Sequence, residues 1–175
     1  MTWWFWLVLA VVLLFGFVVV RGAPYVPSHR RFVRQALTKL YTLDKNDVLV
    51  DLGSGDGLVL RMAAEYGARA VGYELNPALV FISQVLARGN PHISTHLGDM
   101  WFVDLPTDTT VVYIFGVSRD TEKFSAKLQM AANKNAQKIW CITYGAKLPN
   151  KKSIRELDAH TLYLFEPDTL QAAKA

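Results

Sequence analysis

Between Val48 and Gly57 the chain reads VLVDLGSGDG, an apolar run that ends in alternating glycines and two carboxylates. Gly53, Gly55 and Gly57 permit backbone angles and a close ligand approach that side chains would forbid. A strand feeding such a loop, and then a helix, is where doubly wound sheets bind ligands, beyond the carboxyl ends of their strands. Dinucleotide sites use G-x-G-x-x-G/A and set a pyrophosphate on the helix N-terminus. Here the spacing is G-x-G-x-G followed by Leu58, and Asp51 and Asp56 flank the loop. Negative charge there repels pyrophosphate. It suits a ligand with an ammonium and a sulfonium group, the charges of S-adenosylmethionine.

Two further acids stand at expected strand ends. Glu74 lies 23 residues after Asp51 and closes the next apolar run. An acid there can accept from both hydroxyls of a ribose. On this reading Glu74 serves the ligand alone, so its loss should leave the thermal midpoint of the ligand-free chain almost unmoved. Asp99, in Leu97-Gly-Asp-Met-Trp101, can accept from an adenine amino group, with Met100 or Trp101 on the adenine face. The candidate cofactor residues are Asp51, Gly53, Ser54, Gly55, Asp56, Gly57, Glu74, Leu75, Asp99 and Met100. No metal site is expected.

The elements that must position these groups alternate. Strands are expected at residues 48–52, 69–74, 93–97, 110–115 and 138–144. Helices are expected at 58–66, 77–88 and 120–133, with Asn76 capping the helix that opens on Pro77. Apolar strands alternating with helices predict an α/β fold with a mostly parallel sheet covered on both faces. Residues 153–157 and 160–166 read as two antiparallel strands around Asp158-Ala159. The stretch after Gly145 is short for a full helix plus strand pair, which predicts a trimmed substrate side.

Pro24-Tyr-Val-Pro-Ser28, VDLGSGDG, Val71-Gly-Tyr-Glu-Leu-Asn-Pro77 and Tyr113-Ile-Phe-Gly-Val117 together resemble one family. It is the membrane-anchored, seven-strand protein-lysine N-methyltransferases that act on the mitochondrial ATP-synthase c-subunit and on the adenine-nucleotide translocase. The resemblance implies a Rossmann-like class I methyltransferase fold and S-adenosylmethionine as cofactor. It implies Gly53, Gly55, Glu74 and Asp99 as cofactor contacts, and Tyr25 through Ser28 near cofactor or substrate. Candidate substrate residues are Tyr25, Ser28, Trp101, Tyr113 and Gly116. The chain departs from amide and adenine N-methyltransferases at Phe115-Gly-Val-Ser-Arg-Asp120, which lacks an N/D-P-P-Y motif. No nucleic-acid partner is expected.

Trp3–Val20 is 18 residues without a charge, rising ~27 Å if helical. It is expected to be an uncleaved single-pass anchor with its tryptophans in the interfacial belt. Five Lys/Arg and no acid follow between Arg21 and Leu43. That predicts a cytoplasmic body, an outside N-terminus and the bilayer as a partner. Residues 1–21 are then an anchor, and 22–43 a proline spacer with an amphipathic helix capped by Ser28. Residues 44–166 form the cofactor-binding domain and 167–175 a tail. The reading is lysine methylation of a membrane-associated protein. Methylation of a quinone or lipid headgroup, and a non-catalytic tethered protein, are its alternatives. The net charge of +4 is too mild to indicate nucleic acid. Cys141, the single cysteine, reads as an inert buried thiol. His29, His92, His96 and His160 read as surface or strand residues, and no general base is assigned.

Overall fold

The computed structural model describes residues 3–9, 12, 29–115 and 120–172. Residues 3–9 are helical (α1). Then come α2 (Arg30–Gln35), running into a π-helical segment (Ala36–Leu40), β1 (Val48–Leu52), α3 (Leu58–Glu65), β2 (Arg69–Glu74) and α4 (Pro77–Leu86). The chain continues through β3 (Ile93–Leu97), β4 (Val111–Phe115), α5 (Thr121–Asn135), β5 (Ile139–Tyr144), β6 (Arg155–Leu157), β7 (His160–Phe165) and α6 (Asp168–Ala172).

The strands form a seven-stranded sheet in the order β3-β2-β1-β4-β5-β7-β6. β7 runs antiparallel to both β5 and β6, and the other pairings are parallel. The strand order reverses between β1 and β4, which opens a crevice above their carboxyl ends. Every residue of β1 is buried, as a central strand covered on both faces requires. Side chains alternate, so one face gathers Leu49, Val111, Ile142 and Leu162 under α2, the π-helical segment and α3. The other face gathers Val50, Val112, Ile114 and Cys141 under Phe124, Leu128 and Ala132 of α5. Cys141 is fully buried, and burial pushes its thiol well above the ordinary range.

The expected elements are present with ends shifted by a residue or two. Asn76 caps α4, accepting from Ala78 N at 3.0 Å. The last two strands exist and form the far edge of the sheet. Asp158, at φ 51, takes the left-handed conformation that a glycine would ordinarily supply in their turn.

The membrane expectation is corrected. Among the described residues no helix is long and apolar enough to cross a membrane, which overturns the single-pass anchor and the sidedness drawn from it. Residues 10, 11 and 13–20, and the 21–28 spacer with Tyr25 and Ser28, lie outside the described residues, as does Gly116. The helix expected over 28–43 is α2 plus the π-helical segment. Of its predicted apolar face, Val33, Ala36, Leu37 and Leu40 are buried and Tyr41 is half-buried.

At the sheet end opposite the glycine loop, the buried Asp47 ties the segment before β1 to the one before β4. It accepts from Asp44 N (2.9 Å), Tyr41 Oη (2.8 Å) and Thr110 Oγ1 (2.7 Å). Burial, followed by Asp47 itself, holds the Tyr41 phenol far above its ordinary range, so it stays a donor. Asp47→Ala is expected to cost roughly 2–4 kcal/mol in urea unfolding, and Asp47→Asn less.

Candidate active site

β1 ends at Leu52 and the chain turns through Gly53, Gly55 and Gly57, each at positive φ (88°, 55° and 77°). The loop is pinned to the end of β2. Gly53 N and Ser54 N both donate to Tyr73 O, at 2.9 and 3.1 Å. Gly55 N donates to Glu74 Oε2 at 2.9 Å, and Asn76 N donates to Glu74 Oε1 at 2.8 Å. Glu74 is 8% exposed, so these charge-assisted bonds form away from water. A methyl group added at Gly53 would meet nothing within 4 Å, so the loop faces open space there. One at Gly57 would lie 2.1 Å from Ser83 Oγ on α4.

Asp51 stands just before this loop, 3% exposed. No described residue donates a hydrogen bond to its carboxyl or pairs with it. Burial first, then the charges of Glu74 and Asp56, push its carboxyl up to about 8. Asp56 is differently employed. It accepts from Leu58 N at 3.2 Å and pairs with Arg61 at 3.2 Å. A guanidinium therefore sits against its negative charge, and its bond to Leu58 N reaches the first residue of α3.

Asp99 is half-buried after β3 and accepts from Trp101 N at 3.0 Å. Met100 and Trp101 are half-buried against the core beneath α5. The Trp101 ring stacks on Phe124 at 4.6 Å and lies 5.6 Å from Lys123 Nζ. Leu75 is half-buried beside Glu74.

Tyr113 does not reach a substrate rim. It is 2% exposed, and its hydroxyl pairs with His160 Nε2 at 2.8 Å. The reason is register. Tyr113 is two residues from the end of β4 and faces the core beneath α2. His160, expected at the surface or in a strand, opens β7 and is 2% exposed. Burial lowers its imidazole to about 4, with Asp158 acting weakly the other way, so the ring is neutral near pH 7.

Residues 51–165 match the ANTKMT methyltransferase domain family. The chain belongs to that family. As a member it carries an S-adenosylmethionine-dependent methyltransferase domain. It is 39% identical over 121 residues to the lysine N-methyltransferase of the ATP synthase c-subunit from Xenopus laevis, covering 67% of this chain and 52% of that protein. The chain thus spans about half the length of that relative. A protein-lysine N-methyltransferase of Saccharolobus islandicus is 28% identical, covering 81% of this chain and 92% of that one. An RNA methyltransferase from Salinibacter ruber, solved with S-adenosyl-L-homocysteine, is 27% identical with a TM-score of 0.71 over 82% of this chain and 95% of that one.

The methyltransferase domain rests on groups that motif reading passed over. Gly72, in β2, lies under the loop: a methyl group there would meet Ser54 Oγ and Leu60 Cδ1, each at 2.6 Å. A lone glycine inside a strand is a legible sign of close backbone approach. Arg61 and His160 carried no such signal.

Asp51 binds its proton more tightly folded than unfolded, so between about pH 4 and 8 the folded chain holds more protons and loses stability as pH rises. His160 acts oppositely between about pH 4 and 6.5. From pH 6.5 to 8 only Asp51 of this pair acts, and unfolding free energy should fall by up to about 2 kcal/mol in ligand-free protein. Asp51→Asn should flatten that slope in urea titrations at each pH. Glu74→Ala leaves the Gly55 and Asn76 N–H groups without their acceptor. The ligand-free chain should lose roughly 2–4 kcal/mol, contrary to the ligand-only role expected from sequence, and cofactor affinity by calorimetry should fall at least about tenfold.

Proposed function

We propose that this chain is a protein-lysine N-methyltransferase whose cofactor lies over the glycine loop. One observation carries the reading. Asp51 is a buried acid with no described hydrogen-bond donor, at the switch point of the sheet, beside an open glycine. An acceptor of that charge fits a cationic ligand and opposes a phosphate. Bound there, S-adenosylmethionine would supply an electrophilic methyl group.

The chain's own residues then have distinct duties. Gly53 and Gly55 let the backbone come close, and Asp51 faces the positive amino-acid end. Glu74 keeps lone pairs beyond the two used by Gly55 N and Asn76 N, and these accept from ribose hydroxyls. Asp99 accepts from the adenine amino group with the oxygen that Trp101 N leaves free. Leu75 and Met100 line the apolar side. The work left to the protein is to orient the acceptor and exclude water.

A lysine amine must first lose its proton, from a reference pKa of about 10.4. An apolar, acid-free rim favours the neutral amine. The relative with 52% of its length covered is named for a lysine of the ATP synthase c-subunit, and the one with 92% covered for protein lysine. Both names support a lysine acceptor on a protein. Those names extend to a protein acceptor and not to its membrane association.

The test is methyl incorporation from tritiated S-adenosylmethionine into a mixture of whole-cell protein and RNA, followed by hydrolysis and amino-acid analysis. Label in Nε-methyl-lysine, lost with Asp51→Ala, is the expected result. Label recovered only in RNA would overturn the lysine assignment.

A further inference from the structure

At the carboxyl ends of β4 and β5 the sheet carries a row of rings that no cofactor contact uses. Phe115 ends β4, Tyr144 ends β5, and the two are register partners. Their rings are 5.4 Å apart at 43°. Tyr144 is in turn the register partner of His160 on β7, with rings 4.7 Å apart at 43°. Behind them Tyr113 Oη holds His160 Nε2 at 2.8 Å. Strand alternation puts Phe115, Tyr144 and His160 on the face that also carries Asp51, whose register partner is Tyr113. Tyr144 is two strands across from Asp51 and two residues further along, which at ~4.8 Å per strand and ~3.3 Å per residue separates them by about 12 Å across the crevice.

The row is graded. Tyr113 and His160 are 2% exposed, whereas Phe115 and Tyr144 are half-buried. Gly145 N donates to Ala159 O at 2.9 Å and closes the backbone beside them. None of Phe115, Tyr144, His160 and Tyr113 is an acid, Asp158 acts on His160 only against the larger effect of burial, and the imidazole is neutral near pH 7. An alkyl chain ending in an ammonium meets here what it binds without an ion pair: ring faces for the cation and apolar edges for the stem. A carboxylate partner would stabilise the protonated amine, whereas rings tolerate both protonation states.

We propose that Phe115 and Tyr144 form a subsite for a primary or methylated alkylammonium, with His160 as the residue that positions the Tyr144 ring. The proposal rests on the lysine reading and names where that side chain enters.

The test uses n-butylammonium and, as a neutral control of similar length, n-pentanol, added to the full chain while the ring protons of Phe115 and Tyr144 are followed by NMR. Saturable shifts at these rings with n-butylammonium, several-fold weaker with n-pentanol, are expected. Tyr144→Leu should weaken n-butylammonium roughly 2- to 30-fold, with Tyr144→Phe restoring it because the ring face does the binding. Phe115→Leu serves as an independent second variant, and unchanged S-adenosylmethionine affinity shows that each variant is folded. His160→Leu should reduce n-butylammonium affinity several-fold with S-adenosylmethionine affinity unchanged, and His160→Phe, which keeps a ring against Tyr144, should restore it. In methylation of poly-L-lysine, Tyr144→Leu should raise KM by the same factor with a smaller change in kcat. No shift at either ring, or equal affinity in folded Tyr144→Leu and Phe115→Leu, would overturn the subsite. Ammonium binding at these rings without any lysine methylation would instead sink the lysine reading and leave the subsite standing.

Discussion

The carboxylate of Glu74 takes one backbone N–H from the glycine loop and one from the turn that starts α4. Two βα connections, from neighbouring strands, thereby share a single buried anion. Loop and turn cannot shift independently, because either movement would leave an N–H unpaired away from water. Around that clamp the glycines accept positive φ, Gly72 brings β2 up against Ser54, and Gly57 admits Ser83 of α4. A residue suited to holding a ligand is thus also what makes the ligand's cradle a fixed shape.

Fixing the shape has an electrostatic cost, concentrated in Asp51. Three carboxylates converge on the loop, and only Asp56 has a described cation beside it. The surplus is absorbed by protonation of Asp51 in the ligand-free chain, since burial and two like charges disfavour its anion. A cationic ligand reverses that balance. The site is therefore least comfortable when empty at alkaline pH, which is the behaviour of a group kept for binding rather than for stability.

At the other side of the crevice the C-terminal hairpin has a comparable double use. β7 inserts between β5 and β6, which leaves only the short β6 at that edge of the sheet. Its first residue, His160, is thereby pressed against Tyr113 and Tyr144. Charging that imidazole would place a cation among rings with little solvent, so burial keeps it neutral. The neutral, hydrogen-bonded histidine stiffens an aromatic wall directly across from the acidic loop.

Local rules were enough for the strand and helix order, the glycine loop and the acids at the strand ends. Period-2 and period-3.6 patterns, a capping Asn76 before Pro77, and glycines clustered after an apolar run are all properties of near neighbours in the chain. Even the last hairpin was readable, although Asp158 stands where a glycine would be sought. The spanning helix was over-read: among the described residues no helix is long and apolar enough to cross a membrane. Contacts across strands were not legible at all. Whether Tyr113 reaches a rim or a core, whether Glu74 is free or engaged, and whether His160 is surface or buried depend on which residue of a distant strand lies opposite. Register between β4, β5 and β7, and the packing of α3 and α4 over β2, decide those partners. They are set by burying two apolar faces at once, a condition on the whole sheet that no single segment contains.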